Sequence, residues 1–339
     1  MGRLQTIDAL RGVAALFVLL GHAATFFDLQ HFPRFWLAVD LFFLISGYVL
    51  AAVYEPRFRE GLTATAFLKA RLLRLYPLYL VGLVVGIISA IAALALKRGD
   101  LSAGQFVVAV LSGLLMLPSP TWAGDDSLFP LNFPAWSLFF ELVANLALAL
   151  LWRRLTTPML LLIVATSAAG MLAYGDPGAG ESWSSILGGI PRVGFSFFLG
   201  VLIQRYRRPS RSPGWSPWFA VAGLATVLWL RNLPGGALAD FATVVLVFPA
   251  ILWLVAEREP KLSDMAQALG AMSYPLYVIH APLISIITRG IVFFGHKPEP
   301  MAPWLGIATV LSLCGLALLL DRFYDRWARM KIGRWITRR

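Results

Sequence analysis

The chain has 339 residues, of which 58% are hydrophobic and only 14% charged. Together with a mean hydropathy of +0.73, this excludes an ordinary soluble domain, where about half of the residues are apolar and about a quarter charged. It reads instead as an all-α fold, a polytopic integral membrane helical bundle. The net charge of +11 does not call for nucleic acid as a partner, because membrane proteins collect Lys and Arg in their cytoplasmic loops.

A helix needs about 20 mostly apolar residues to cross a bilayer. Stretches that meet this lie at 11–29, 36–54, 76–96, 134–152, 158–174, 188–204, 215–231, 237–256, 271–294 and 303–320, about ten transmembrane helices in all. The first is flanked by Arg3 and by Ala23-Ala24-Thr25, as a signal peptide would be. A second apolar run follows almost at once, so the first is expected to be retained. The run 105–117 is short for a crossing and is predicted as a re-entrant or interfacial segment, followed by a loop rich in Pro, Asp and Gly over 118–134. Placing the N- and C-termini in the cytoplasm puts most Lys and Arg on that side, as the positive-inside rule requires. An eleventh span at 105–117 would reverse every later loop and spoil the asymmetry. Residues 1–321 then form the transmembrane domain, and 322–339 a basic, aromatic tail predicted as an amphipathic helix on the cytoplasmic leaflet. No soluble domain is expected at either end. The one cysteine, Cys314, lies in an apolar run, which leaves no zinc site built on several cysteines and no metal in the reading.

Ionisable groups inside spans are costly and default to functional hypotheses. Here they are His22, Asp40, Glu141, Arg192, Asp240 and His280. His22 follows Arg11 by about 16 Å of helix, which places it in the outer half of the membrane. Asp40 sits about 6 Å below the outer end of the second span. The two spans are joined by a short loop, so His22 and Asp40 are predicted to face each other. A carboxylate beside an imidazole makes a general base; the same pair also serves as a simple join between helices. Glu141, with Trp136 and Ser137 a turn or so above it, is predicted about 10 Å into its span. Arg192 either pairs with it or binds an anionic group. Ser273, Tyr277 and His280 share one helical face by their spacing and suggest a lined cavity, or interhelical glue, with Pro275 and Pro282 kinking that helix. Arg71 and Arg74 lie three apart at the membrane surface, a spacing suited to polyphosphate and equally to lipid headgroups. His31, His296 and Asp240 need no special role, and Gly82 and Gly86 mark a small-residue packing face.

In order along the chain, these pieces resemble the acyltransferase-3 family of polytopic membrane O-acyltransferases, which act on bacterial cell-surface glycans. The resemblance rests on Arg-x10-His (Arg11, His22), Asp-Leu-Phe-Phe-x-x-Ser-Gly (Asp40, Ser46, Gly47), Arg-x-x-Arg (Arg71, Arg74), Trp-Ser-Leu-x-x-Glu (Trp136, Ser137, Glu141) and Ser-Tyr-x-x-Tyr-x-x-His (Ser273, Tyr277, His280). Membership implies a protein of the bacterial inner membrane that takes an acyl-CoA co-substrate, usually acetyl-CoA, from the cytoplasm. It also implies a carbohydrate acceptor hydroxyl on the outer side. Some members carry a fused extracytoplasmic domain; this chain is too short for one, which leaves room for a separate helper protein.

The expected division of labour follows. Arg71 and Arg74, with Arg11, hold the donor's phosphates, and His22, oriented by Asp40, is the base or a transient acyl carrier. Glu141 is an alternative base, or positions the acceptor with Trp136, on whose ring a sugar would stack. Ser137, Arg192, Ser273, Tyr277 and His280 complete the acceptor-binding set. The rival reading is a glycan transporter or flippase with His22, Asp40 and Glu141 as a proton relay.

Overall fold

The structure, a computed structural model, describes residues 4–29, 34–96, 101–120, 126–207, 214–230, 235–256, 261, 263–325, 327–328 and 330–331. These form helices α1 (Gln5–His22), α2 (Ala38–Arg59), α3 (Ala64–Ala95), α4 (Ala103–Leu114), α5 (Ala135–Leu151), α6 (Thr157–Tyr174), α7 (Ile186–Tyr206), α8 (Ser216–Trp229), α9 (Ala237–Val255), α10 (Ser263–Phe293) and α11 (Trp304–Asp325). There is no β-strand among the described residues, only an isolated bridge between Ser127 and Ser182.

Local sequence explains many of the boundaries. Thr63 caps α3 by accepting from the Ala66 N–H, and Ser102 with Gln105 forms a capping box at α4. Pro158 opens α6, and Gly175, at φ 78°, closes it in the left-handed conformation that glycine adopts without strain. Helix α9 widens into a π-turn over Thr243–Val247, and α11 ends in another over Leu320–Asp325.

Among the described residues, seven helices are long and apolar enough to cross a membrane: α2, α3, α6, α7, α9, α10 and α11. Helices α5 and α8 are apolar but shorter, at 17 and 14 residues. Each predicted span falls on a helix. The first is shifted, because α1 begins at Gln5 and ends on His22. Arg11 therefore sits inside the helix rather than at its start, and His22 is its last residue. The 105–117 segment is the 12-residue α4, about 18 Å long, too short to cross alone. The hydroxyls of Tyr76 and Tyr79 on α3 donate to its terminal carbonyls at Leu114 and Gly113. The outward faces carry exposed Leu150, Phe219, Leu246 and Leu311, as a lipid-facing surface requires.

Packing is closest where glycines meet backbone. A Cβ on Gly47 of α2 would stand 1.8 Å from the Phe197 carbonyl of α7, and one on Gly200 of α7 2.1 Å from the Leu44 carbonyl. On α3, Gly82 abuts the Val278 carbonyl of α10 and Gly86 that of Leu131, so this pair is the packing face its spacing predicts. Helix α10 packs against α1, α3 and α11. Pro282 has no N–H to give the Val278 carbonyl one turn earlier; the Asn132 side-chain amide supplies that hydrogen bond instead, at 3.1 Å.

The start of the predicted tail belongs to the bundle. Tyr324 donates to the Pro77 carbonyl at 3.3 Å, and buried Asp325 pairs with Arg74. Residues 332–339 of the tail lie outside the described residues.

Candidate active site

Helices α1, α2, α3, α5 and α10 enclose a cavity of about 120 Å³ whose polar lining includes Arg11, Arg71, Arg74, Glu141, Ser137 and Tyr277. Glu141 accepts from the Arg71 guanidinium at 2.8 Å and from the Ser46 hydroxyl at 2.7 Å. Arg74 reaches Asp325 at 3.1 Å, with its guanidinium over the Tyr274 ring. Two donors at this cavity are left over. Arg71 Nε is buried and unpartnered, and Arg11 makes no ion pair with a described carboxylate.

A second cavity, of about 480 Å³, is lined by Ser89, Asp126, Ser127, Ser182, Ser285 and Arg289 among mostly small and apolar neighbours. Three segments pass from one cavity to the other. On α3, Leu75 borders the first and Gly86 the second; on α10, Tyr277 the first and Ala281 the second; around α5, Ser137 the first and Phe133 the second. The stretch from Leu75 to Gly86 corresponds to about 16 Å along the axis, so the cavities are stacked along the bundle.

His22 and His280 lie between them. Their rings are 4.9 Å apart, and His22 Nδ1 is 3.4 Å from His280 Nε2. His22 also touches Phe133, on the wall of the second cavity, and His280 touches Tyr277, on the wall of the first. Each Nδ1 faces the carbonyl four residues earlier in its own helix, Val18 at 2.9 Å and Leu276 at 3.0 Å. A carbonyl only accepts, so each Nδ1 carries the proton and each Nε2 the lone pair. That leaves His22 Nε2 as a basic nitrogen with no described hydrogen-bond partner.

A family model described as an acyltransferase domain matches residues 4–321, nearly the whole chain.

The chain belongs to the acyltransferase-3 family.

Three relatives place it further. The chain is 25% identical over 314 residues to the exopolysaccharide production protein ExoZ of Rhizobium meliloti (strain 1021), covering 86% of this chain and 90% of that one. It is 41% identical over 180 residues to protein 2 in the picA locus of Rhizobium radiobacter, covering 50% of this chain and 93% of that one. It is 31% identical over 182 residues to the acyltransferase MdmB of Streptomyces mycarofaciens, covering 50% and 44%. No solved structure matches the chain.

Within this membrane acyltransferase, several expected partnerships are replaced by others. Asp40 does not meet His22. Its carboxylate takes Arg192 Nη2 at 2.7 Å and Nε at 3.3 Å, both side chains being 1% exposed. Arg192 also donates to the carbonyls of Ala179 and Trp36. Its donors are thus spent inside the protein, and it is not presented to a substrate. Glu141 lies with the arginines of the first cavity and not on Arg192. Trp136 is buried with the Arg192 guanidinium 5.3 Å from its ring centre, so that face is closed to a stacking sugar. Ser137 bonds the Tyr277 hydroxyl at 2.6 Å, and Ser273 donates to the Gly270 carbonyl; both serines and Tyr277 line the first cavity. His280, on the same face, is their neighbour rather than a lining residue.

Three features of the acyltransferase escaped the sequence reading. Asp240 is no bland span-end residue: Arg34 meets it at 2.6 Å and also donates to the Thr243 hydroxyl and to the Val227 and Ala239 carbonyls. Asp325 is a buried partner of Arg74. The serine-lined cavity is composed largely of residues no motif contains. A rule that every buried guanidinium needs a carboxylate would have prompted the first two.

Proposed function

We propose that this acyltransferase moves an acyl group, acetyl in the usual case, from acyl-CoA to a hydroxyl of a cell-surface or lipid-linked carbohydrate. The observation that carries the reading is the position of His22 and His280 between two stacked cavities. The arginine-lined cavity opens to the cytoplasm of a bacterial inner membrane, in keeping with the distribution of Lys and Arg over about ten spans. The serine-lined cavity opens outward. The names of the relatives, one tied to exopolysaccharide production and one to acyl transfer, support a glycan acceptor.

The residues present suit a coenzyme A donor. Its phosphates would be met by Arg11, by Arg74 and by the free Nε of Arg71, while the narrow cavity admits the slim pantetheine arm and not the nucleotide. The arm has about 16 Å to run from the depth of Arg11 to that of His22. His22 Nε2 takes the proton from the acceptor hydroxyl as its oxygen bonds to the thioester carbonyl carbon. The carbon–sulfur bond breaks, and His22 returns the proton to the departing sulfur. His280 Nε2 shares the Nδ1–H of His22 with the Val18 carbonyl and so steadies the imidazolium while it exists, the role first expected of Asp40. Glu141 balances Arg71 and keeps it in place.

The test is purified protein in lipid nanodiscs, labelled acetyl-CoA and surface glycan from a strain lacking the gene. Thiol release matched by label on the glycan, both lost in His22→Ala, is the expected result. Glycan crossing the bilayer without thioester loss would instead identify a transporter.

A further inference from the structure

Five arginines packed among the helices each reach a carboxylate: Arg34 to Asp240, Arg71 to Glu141, Arg74 to Asp325, Arg192 to Asp40 and Arg205 to Glu55. Two arginines that line the cavities, Arg11 and Arg289, meet no described carboxylate. Each lines one of the two cavities. The phosphates of the proposed donor account for Arg11. Arg289, an exposed residue near the end of α10, is not accounted for by that donor.

Its setting is specific. Arg289 Nη1 donates to both the carbonyl and the hydroxyl of Ser89, at 2.9 and 3.1 Å, and the Ser89 hydroxyl is 3.5 Å from that of Ser285. One edge of the guanidinium is thereby fixed to α3, and Nε and Nη2 are left without a described partner. A fixed guanidinium with an open edge is the arrangement that recognises a carboxylate or phosphate by paired hydrogen bonds. The loop wall of the same cavity carries Asp126, held in place by the Ser184 N–H at 3.1 Å and by the Ser184 hydroxyl. With Ser127 and Ser182 beside it, that wall offers acceptors and hydroxyls suited to sugar hydroxyl groups and hostile to an anion.

We infer that the serine-lined cavity is a subsite for an acceptor glycan that carries an oxyanion, a sugar carboxylate or a phosphate, gripped by Arg289. This rests on the acyl-transfer reading above and names the class of its acceptor. Opposite charges on Arg289 and Asp126 orient the chain, with the anion on α10 and neutral sugar against the loops. Arg289 lies nine residues beyond His280, about 14 Å along the helix, so the anion is read on a sugar other than the one being acylated, or on the group that ties the glycan to lipid.

The experiment uses the full chain in nanodiscs of zwitterionic lipid, with one tetrasaccharide in three forms: uncharged, with one glucuronate, and with a phosphate monoester at the reducing end. Direct binding is measured without donor, and transfer with acetyl-CoA. The wild type is expected to bind at least one anionic form about tenfold more tightly than the uncharged one, and the preferred form identifies the source of the anion. Arg289→Gln and Ser89→Ala should erase that preference through KM, leaving kcat and the donor KM unchanged; Arg289→Lys should restore part of it. Equal binding of all three forms by the wild type, or a preference that survives Arg289→Gln, overturns the inference. Transfer without charge preference sinks this inference alone. Anion-selective binding with no transfer to any form upholds the subsite and sinks the acyl-transfer reading.

Discussion

His22 Nδ1 lies 3.4 Å from His280 Nε2, and each ring is held by a carbonyl of its own helix. The second imidazole stands where a carboxylate was expected. We predict that His22→Ala lowers kcat by about 10²–10⁴-fold, the usual value of a general base, with the donor KM unchanged. His280→Ala should cost less, because the Val18 carbonyl still orients His22, and His280→Gln should recover part of that loss. Steady-state kinetics with each variant checks the order.

The Asp40–Arg192 pair is a lock between α2 and α7, buried on both sides. Removing either partner strands a charge, and Asp40→Leu or Arg192→Met should each destabilise the protein by about 3–5 kcal/mol. The double variant Asp40→Leu/Arg192→Met should regain most of it. Thermal unfolding in one detergent, arranged as a double-mutant cycle, measures the coupling. Were Asp40 the partner of His22 in catalysis, Asp40→Asn would lose activity per folded molecule, which we do not expect.

Glu141 and Arg71 should respond in opposite directions. Arg71→Gln removes a charge-assisted contact worth about 1.5–3 kcal/mol and weakens coenzyme A binding by about ten- to a hundredfold. Glu141→Gln releases Arg71 from its counter-charge and should tighten binding about threefold, in line with the modest strength of partly exposed pairs. Isothermal titration with coenzyme A separates the two. A base at Glu141 would instead show as a collapse of kcat equal to that of His22→Ala.

Close helix contact gives a packing prediction with its own control. Gly47→Ala drives a methyl into the Phe197 carbonyl and should cost about 1–3 kcal/mol. Gly223→Ala on α8, where nothing lies within 4 Å, should be neutral or gain up to about 1 kcal/mol from helix propensity. Melting temperatures of the two variants side by side are sufficient.

The loop junction at the serine-lined cavity carries a pH dependence. Hydrogen bonds from Ser184, first from its hydroxyl and then from its N–H, hold the Asp126 carboxyl below its ordinary range. A lowered carboxyl contributes stability above its unfolded value, about 3.9, and loses it as pH falls through the folded value. The junction should therefore persist from neutral pH to about pH 4 and loosen only below. Ser184→Ala should move that loosening upward. Fluorescence of Trp183, whose indole donates to the Ser119 carbonyl in the same junction, reports the transition.

Depth was legible in the sequence; azimuth was not. Counting residues along a helix places His22, Asp40 and Arg192 near one level, and that is where they are grouped. Which of them touch depends on the rotation of each helix about its axis, fixed here by contacts such as Gly47 on the Phe197 carbonyl. Asp40 thus turns to α7, and His22 to α10. The motif positions Arg11, Arg71, Arg74, Ser137, Glu141, Ser273 and Tyr277 converge on one cavity because each stands out as polar in an apolar run. Arg34, Asp240 and Asp325 stayed hidden because loop, span-end and tail residues are ordinarily solvated, and nothing local says that these three are folded in. Arg289 and Ser89 were invisible for a different reason. Neither belongs to a spaced motif, and only the packing of α3 on α10 brings them together.

That the two cavities are distinct, with a pair of imidazoles between them, bears on the cell's electrical insulation. A hole wide enough for coenzyme A or a glycan would let ions through as well and discharge the membrane. In the proposed reaction, all that would have to pass the imidazoles is a fragment of a few atoms, handed over by bond exchange. A bundle working in this way would serve two aqueous compartments at once while remaining, to ions and metabolites, a plug.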